Sequence, residues 1–520
     1  MPGATLKGLN KLLISAGASL LAACGGGSGA GGDEPQWQAG VYQAPDSYKS
    51  LCQAPRAGVS AITGQAYDDQ PGSTQAENLW LRSWINDSYL WFDEVPDLNP
   101  AGYTTDDYFA ELKTPAITAS GKAKDQFHFS IPTTDWEAQS QAGISVNYGV
   151  DFAVLSPSVP RAVVVALTNP GSVAELAGVA RGDRIVSIDG TDINDTTTAG
   201  VDTLNAGLNP SDIGEEHTFV LRAVDNSVNT ITLQANSQAE TPVQSVQIID
   251  TDSGPVGYLL FTRHNYPSEA LLVAAFEQFA SASVTDVVLD LRYNGGGFLA
   301  IASQVAYMVA NKSLTNSAVF EQLQFNSKYP NRNPVTGESN DPVPFFDTSL
   351  GFSLSSGQAL PNLGLMRLYV IATGDTCSAS ESIINSLRGV GVEVILIGSA
   401  TCGKPYGFYP EDNCGTTYFS VQFQSVNDAG FGDYADGFSP AGQAPVGAVE
   451  LPGCYLDDDY QHAIGDTTEA MLATALSYRA SGQCPTSPVT AKVSAPRQTS
   501  PRLIRSTWES NRILTPRGEL

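Results

Sequence analysis

Leu368-Tyr-Val-Ile-Ala-Thr-Gly-Asp-Thr-Cys-Ser378-Ala-Ser-Glu381 decides how this chain folds. Leu368 to Ala372 reads as a buried strand and Ser378 to Leu387 as a helix. Ser378 therefore sits where a strand turns into a helix N-terminus. Unpaired backbone N–H groups and the positive end of the helix dipole collect there. A serine so placed can attack a carbonyl while nearby N–H groups receive the charge that develops on oxygen. Lys404 follows a second apolar strand, Val392 to Ile397, which points to the same sheet edge. A lysine beside a serine can be its general base if burial lowers the lysine pKa.

Around this unit, residues 245–470 alternate strands and helices. Val256 to Phe261 reads as a strand. Ser268 to Ala282 reads as a helix with Ser268 as its N-cap. Val284 to Leu291 is another apolar strand, ending in Asp290-Leu-Arg-Tyr-Asn-Gly-Gly-Gly297, and Phe298 to Ala310 reads as the next helix. The glycine run lets backbone approach a ligand without Cβ clashes, and it also suits a tight strand-to-helix turn. A long polar insertion covers about 312–362. The alternation predicts an α/β fold, a sheet flanked by helices.

Ahead of this core, residues 73–135 read as a small helical domain. Thr74-x-x-Glu77 resembles a capping box, opening a helix with Leu81, Trp84, Ile85 and Trp91 on one face and ending at Pro96. Thr105 to Leu112 is a second short helix. These aromatics read as core and not as a ligand cage.

Residues 143–237 are β-rich. The stretch Asn169-Pro-Gly-Ser-Val-Ala-Glu-Leu-Ala-Gly-Val-Ala-Arg-Gly-Asp-Arg-Ile-Val-Ser-Ile-Asp-Gly190 resembles a PDZ domain of the bacterial protease type. That resemblance implies capture of extended peptide ends by strand addition. It also makes Gly143, Ile144, Ser145 and Val146 the carboxylate loop, although they depart from the family's Gly-Leu-Gly-Phe form. A β-domain with a degenerate groove is the competing reading.

The 520 residues carry a formal charge of -27. A chain this acidic lacks the basic face that nucleic acid requires. Lys7 and Lys11 precede the apolar run Leu12 to Leu21, so residues 1–23 read as a signal peptide. Leu21-Ala-Ala-Cys24 resembles a bacterial lipobox, implying cleavage before Cys24, lipidation of its thiol and attachment to the membrane, in a Gram-negative cell the outer one. An ordinary signal peptide is the alternative. Residues 24–72 then form a tether and irregular lead-in.

Six further cysteines suggest disulfides in an oxidising compartment. Cys402 and Cys414 bracket the loop that holds Lys404, and their pairing would brace it; Cys377 is the rival partner for Cys402. Residues 486–520 read as a disordered tail, solvated and not a binding arm.

Taken together, residues 75–470 resemble the S41 peptidases, the C-terminal processing proteases with a ClpP/crotonase-like core. The PDZ stretch, the Asp290 to Gly297 block and Thr376 to Glu381 with Gly403-Lys404 carry the resemblance. It implies that Ser378 is the nucleophile and Lys404 its base. Ala379 N–H and a glycine N–H, from Gly296 or Gly295, would form the oxyanion hole. Ser380 and Glu381 have support roles. The family commonly has a glutamine four residues after the lysine; Phe408 stands there, and Gln422 or Gln424 would have to substitute. The spacing from Ser378 to Lys404 is one residue longer than usual, which fits the Gly389-Val-Gly391 turn. Of the four histidines, His128, His217, His264 and His462, only His264 follows a core strand and competes as a base. The expected protein is an exported, lipid-anchored endopeptidase acting on unfolded or tail-exposed polypeptides, with no metal or organic cofactor. The alternative is a non-catalytic peptide-binding lipoprotein on the same scaffold.

Overall fold

The computed structural model describes residues 36–138, 140, 144–486 and 502–504. The leader with Cys24, Gly143 of the carboxylate loop, and the tail apart from Arg502–Ile504 lie outside the described residues.

The first long helix, α1 (Thr74–Ser88), starts one residue earlier than its sequence signature. Ser73 is the N-cap, accepting from Ala76 N, while Glu77 reaches away to Gln53 N and Thr105 Oγ1. It also ends at Ser88, well before Pro96. Leu90 N donates to Val421 O, and Asn326 Nδ2 takes the carbonyls of Asp87 and Tyr89. Tertiary partners thus satisfy the groups that a further turn would have used.

Trp80 and Trp84 stack at 5.4 Å and pack with Tyr418 and with Phe109 of α2 (Thr105–Glu111). Tyr418 and Val421 belong to that same buried cluster, and Phe129–Pro132 pairs antiparallel with Thr416–Phe419. The helical segment is therefore a layer built onto the C-terminal half.

The lead-in is fastened to the same place. Leu51–Cys52 pairs with Gln70–Pro71, and Cys52 is disulfide-bonded to Cys414. This overturns the expected Cys402–Cys414 bond. Cys414 sits at the turn of the hairpin Glu411–Asn413 and Thr416–Phe419, which carries it to the lead-in. Cys402 stays at a strand end beside Cys377 and pairs with it, Cα to Cα 5.3 Å. The third bond is Cys454–Cys484.

The β-rich region is a sheet packed on a long helix, with a second helix of one turn, Val173–Leu176, beside it. Its strands are β1 (Val150–Ser156), β2 (Ala162–Thr168), β3 (Arg184–Ile188), β4 (Glu216–Arg222) and β5 (Val228–Gln234), in the order β5–β4–β3–β2–β1. Phe152, Val163, Val165, Ile185, Ile188 and Phe219 pack beneath α3 (Thr198–Leu208) through Val201 and Leu204. Beyond β1 lies one more strand, Arg502–Ile504, antiparallel to it. This piece of the tail is therefore ordered by pairing, contrary to the composition-based expectation.

The core sheet comprises β6 (Val243–Ile249), β7 (Val256–Phe261), β8 (Asp286–Asp290), β10 (Arg367–Ala372), β11 (Glu393–Gly398) and β13 (Gly453–Tyr455), in that order. β6 is antiparallel to β7, and the rest are parallel. Both faces are covered, which is why these strands read as nearly continuous apolar runs. Leu259, Leu289, Val370 and Leu396 face α4 (Ser268–Ser281), α5 (Leu299–Val309) and α6 (Ala379–Gly389). Tyr258, Val288, Ile371 and Ile397 face Met471, Leu472 and Ala475 of α7 (Ala470–Ser481).

Ser268 is not the N-cap of α4; Pro267 is. The Ser268 hydroxyl instead donates to Arg263 O and accepts from Asn265 N. The polar insertion is not all loop. It contains β9 (Val319–Phe325), paired with β12 (Phe423–Val426). Among the described residues no helix is long and apolar enough to cross a membrane. Because β8, β10 and β11 are parallel neighbours, the segments leaving their C-terminal ends meet at one sheet edge.

Replacing both Cys52 and Cys414 with serine is expected to cost about 2–4 kcal/mol of stability. Chemical denaturation measures the loss, and faster hydrogen exchange confined to residues 50–72 locates it.

Candidate active site

The turn after β10 is sewn to the turn after β8. Thr373 Oγ1 donates to Arg292 O, Thr376 Oγ1 to Leu291 O at 2.8 Å, and Cys377 N and Ser380 Oγ both donate to Asn294 O at 3.0 Å. This places Ser378 against the glycine run. A Cβ on Gly296, whose φ is +107°, would lie 2.8 Å from Ser378 Cβ, so only glycine fits. The turn is also rigidified from below. Arg292 is fully buried and bonds Asp290 with Nε, Asp458 with Nη1, and Glu469 with both Nη1 and Nη2. Arg181, from the β-rich domain, joins the network through Asp458 at 2.7 Å and the Tyr293 hydroxyl at 2.6 Å.

Ser378 has φ 55° and ψ -117°, a sparsely populated conformation for any residue with a Cβ. Glu381 holds it there. The buried Glu381 carboxylate accepts from Ser378 N at 3.0 Å and Lys404 N at 2.8 Å on Oε2. On Oε1 it accepts from Gly403 N at 2.9 Å and Thr401 Oγ1 at 2.5 Å. Because Ser378 N and Lys404 N share one oxygen, they lie no more than about 6 Å apart. Burial pushes the Glu381 carboxyl upward, and its four donors resist that shift. The Cys377–Cys402 disulfide spans the same gap.

Lys404 is 9% exposed. Its Nζ lies 4.0 Å from the Phe408 ring centre and 5.0 Å from that of Phe127, and no carboxylate pairs with it among the described residues. Burial lowers its pKa to about 8, opposed by Asp125 and Glu381. Loss of solvation thus favours the neutral amine, while the two ring faces favour the charged form.

Gly296 N donates to Asn294 Oδ1 at 2.9 Å, so that N–H is engaged. Gly295 N–H and Ala379 N–H have no acceptor among the described residues. Gly295 is exposed at the head of the glycine turn, and Ala379 opens α6.

Neither Gln422 nor Gln424 hydrogen bonds to Lys404 Nζ. Gln422 Oε1 accepts from Tyr409 N at 2.7 Å, and Gln424 Nε2 donates to Gly432 O at 3.0 Å. The Gln422 amide braces the loop that follows the lysine, the Gln424 amide bonds a different loop, and Phe408 supplies the wall where the family's glutamine would stand. His264 is buried, its pKa lowered to about 4 by burial, and its Nδ1 faces Asn294 Oδ1 and Gly296 O. It supports the glycine turn and makes no hydrogen bond to Ser378.

Of the carboxylate-loop residues, Ile144, Ser145 and Val146 lie in a strand, Ile144–Asn147, paired antiparallel with Asn236–Ala239. They stand in a domain separate from Ser378. Two clusters have the residue types of metal ligands, Cys52–Glu77–Cys414 and Cys377–Glu381–Cys402. In each the sulfurs are disulfide-bonded and not thiolates.

Sequence reasoning missed Arg181, Asp458 and Glu469. Arg181 lies inside the quoted PDZ stretch, but nothing local marks it as a bridge to the core.

Residues 255–407, which include Ser378 and Lys404, match the profile of peptidase family S41. That segment is therefore similar to the S41 peptidase domain. Residues 164–209 match that of a PDZ domain. The chain is 29% identical over 185 residues to the chloroplastic C-terminal processing peptidase of Tetradesmus obliquus, covering 33% of this chain and 37% of that one. It is 24% identical over 265 residues to the carboxyl-terminal-processing protease of Picosynechococcus, covering 51% and 54%. The matches thus span about a third to a half of these relatives' lengths. Among solved structures, a Bacteroides fragilis protein assigned to the S41 proteases aligns with a TM-score of 0.58 at 22% identity, over 78% of this chain and 97% of that one. The two share the fold.

Burying the Lys404 ammonium disfavours folding, and the sign follows from linkage. The folded state holds this proton more weakly than the unfolded chain, so the penalty is full below pH about 8 and fades as pH rises toward about 10.5. Lys404→Met should therefore stabilise the protein at pH 7 by about 1–3 kcal/mol. Denaturant melts of both proteins should show the difference shrinking between pH 8 and 10.5.

Proposed function

We propose that this protein is an exported, lipid-anchored serine endopeptidase that uses Ser378 as nucleophile and Lys404 as general base. Its substrates are unfolded polypeptides or those with exposed C-terminal tails, captured or gated by the PDZ domain. The observation that carries this reading is the single Glu381 oxygen bonded to both Ser378 N and Lys404 N, beside an amine whose pKa burial lowers to about 8.

In this mechanism neutral Lys404 takes the Ser378 hydroxyl proton as Oγ bonds to the scissile carbonyl carbon. The carbonyl oxygen gains the negative charge. Ala379 N–H and Gly295 N–H, the donors without acceptors, receive it. Protonated Lys404 then gives its proton to the leaving amine, which departs and leaves an acyl ester on Ser378. Water, deprotonated by the regenerated amine, hydrolyses the ester and restores the hydroxyl. The similarity to carboxyl-terminal processing enzymes supports the substrate class.

The anchored location rests on Leu21-Ala-Ala-Cys24 behind a charged and apolar leader, and on the glycine-rich stretch after it. Cleavage before Cys24 and lipidation of its thiol would tether the enzyme to the membrane, in a Gram-negative cell the outer membrane facing the periplasm or the surface.

Ser378→Ala is expected to lower casein hydrolysis by about 10^4-fold or more with the melting temperature nearly unchanged. Wild-type activity should rise with pH through about 8 as Lys404 loses its proton. Turnover persisting in the alanine variant would remove Ser378 from the mechanism. Cys24→Ser should move the protein from the membrane to the soluble fraction, since acyl chains contribute about 0.8 kcal/mol per buried methylene. A wild-type protein already soluble and unlipidated would refute the anchor.

A further inference from the structure

The PDZ sheet ends at β1, and a PDZ domain captures ligands by adding an extended segment to a sheet edge. In this protein that edge is taken by the chain itself. The last described strand, β14 (Arg502–Ile504), runs antiparallel to β1, with Arg502 opposite Val154, Leu503 opposite Ala153 and Ile504 opposite Phe152.

Successive side chains of a strand point to opposite faces, and both faces of β14 are used. Ile504 is buried in the PDZ interior with Phe152 of β1 and Val201 and Leu204 of α3. Leu503 is buried on the other face, in a cluster that joins Ala153 and Val164 of the PDZ domain to Leu260 and Tyr293 of the protease core. Leu503 N also donates to Asp375 Oδ2 at 3.3 Å, on the turn that leads to Ser378.

We infer that Arg502–Ile504 is an intramolecular ligand of the PDZ domain, which an incoming polypeptide must displace to dock on β1. The partner is an extended segment with two adjacent aliphatic residues. The sequence continues past Ile504 to Arg505, so this contact needs no terminal carboxylate. A segment joined to its own domain competes at an effective concentration on the order of mM. Micromolar free peptide therefore meets an occupied edge. The inference concerns the PDZ domain and stands apart from the Ser378–Lys404 mechanism.

The test uses a fluorescein-labelled synthetic peptide of residues 499–507 and fluorescence anisotropy, in a Ser378→Ala background so that no probe is cut. Three proteins are compared: the full chain, a chain ending at Pro501, and the full chain with Leu503→Asp and Ile504→Asp. The truncated and doubly substituted proteins should bind the probe at least about tenfold more tightly than the full chain. Equal binding by all three, or no binding by a folded truncated chain, overturns the proposal. Hydrogen exchange on the unaltered protein needs no variant. Arg502–Ile504 should exchange slowly, in step with Val150–Ser156. Exchange of Arg502–Ile504 at the rate of a free peptide overturns the proposal whatever the variants do. Failure here leaves Ser378→Ala and its casein assay untouched, so the two readings fail separately.

Discussion

One buried carboxylate organises the candidate site. Glu381 lies on the first turn of α6, and its oxygens collect backbone N–H groups from the two segments that carry Ser378 and Lys404. Those segments leave different strands, β10 and β11, and neither has regular structure at that point. A charge-assisted bond to each is worth more than a neutral one. Removing the acceptor would leave the three buried donors of Thr401, Gly403 and Lys404 unpaired, each costing about 1–3 kcal/mol, along with the partly buried Ser378 N–H. The strained backbone of Ser378 persists because the carboxylate and the neighbouring disulfide over-determine it.

A second buried charge system supports the other wall. Arg292 alone would be expensive to bury, but it meets Asp290, Asp458 and Glu469, and its guanidinium is fully engaged. Arg181 draws the PDZ domain into the same group through Asp458. The turn that presents Gly295 therefore rests on residues from both domains.

Strand–helix alternation and the strand-to-helix placement of Ser378 were legible because they depend on local periodicity and on neighbours in sequence. The α/β class follows from them. Features decided by distant partners were not legible. The end of α1 depends on Val421 and Asn326, and the disulfide pairing depends on where a hairpin carries Cys414. Glu381 looked like a first-turn acid complementing the helix dipole, and only the approach of Gly403 and Lys404 gives it its larger role. A strand of three residues, such as β14, has too little pattern of its own; β1 supplies it. Arg181, Asp458 and Glu469 are single charges from three segments, and no spacing rule joins them.

The fastening of the lead-in also sets an order of assembly. Cys52 and Cys414 are separated by 362 positions, and Phe127, from the N-terminal layer, walls the amine of a lysine near position 400. The front of the chain must wait for nearly all of the described chain to be synthesised before it finds its place. Contacts of such long range form slowly. A fragment ending before Lys404 would already contain the Ser378 hydroxyl but not the buried amine that Phe127 and Phe408 enclose. The two halves of the candidate site are thereby brought together only after residues beyond position 400 are present.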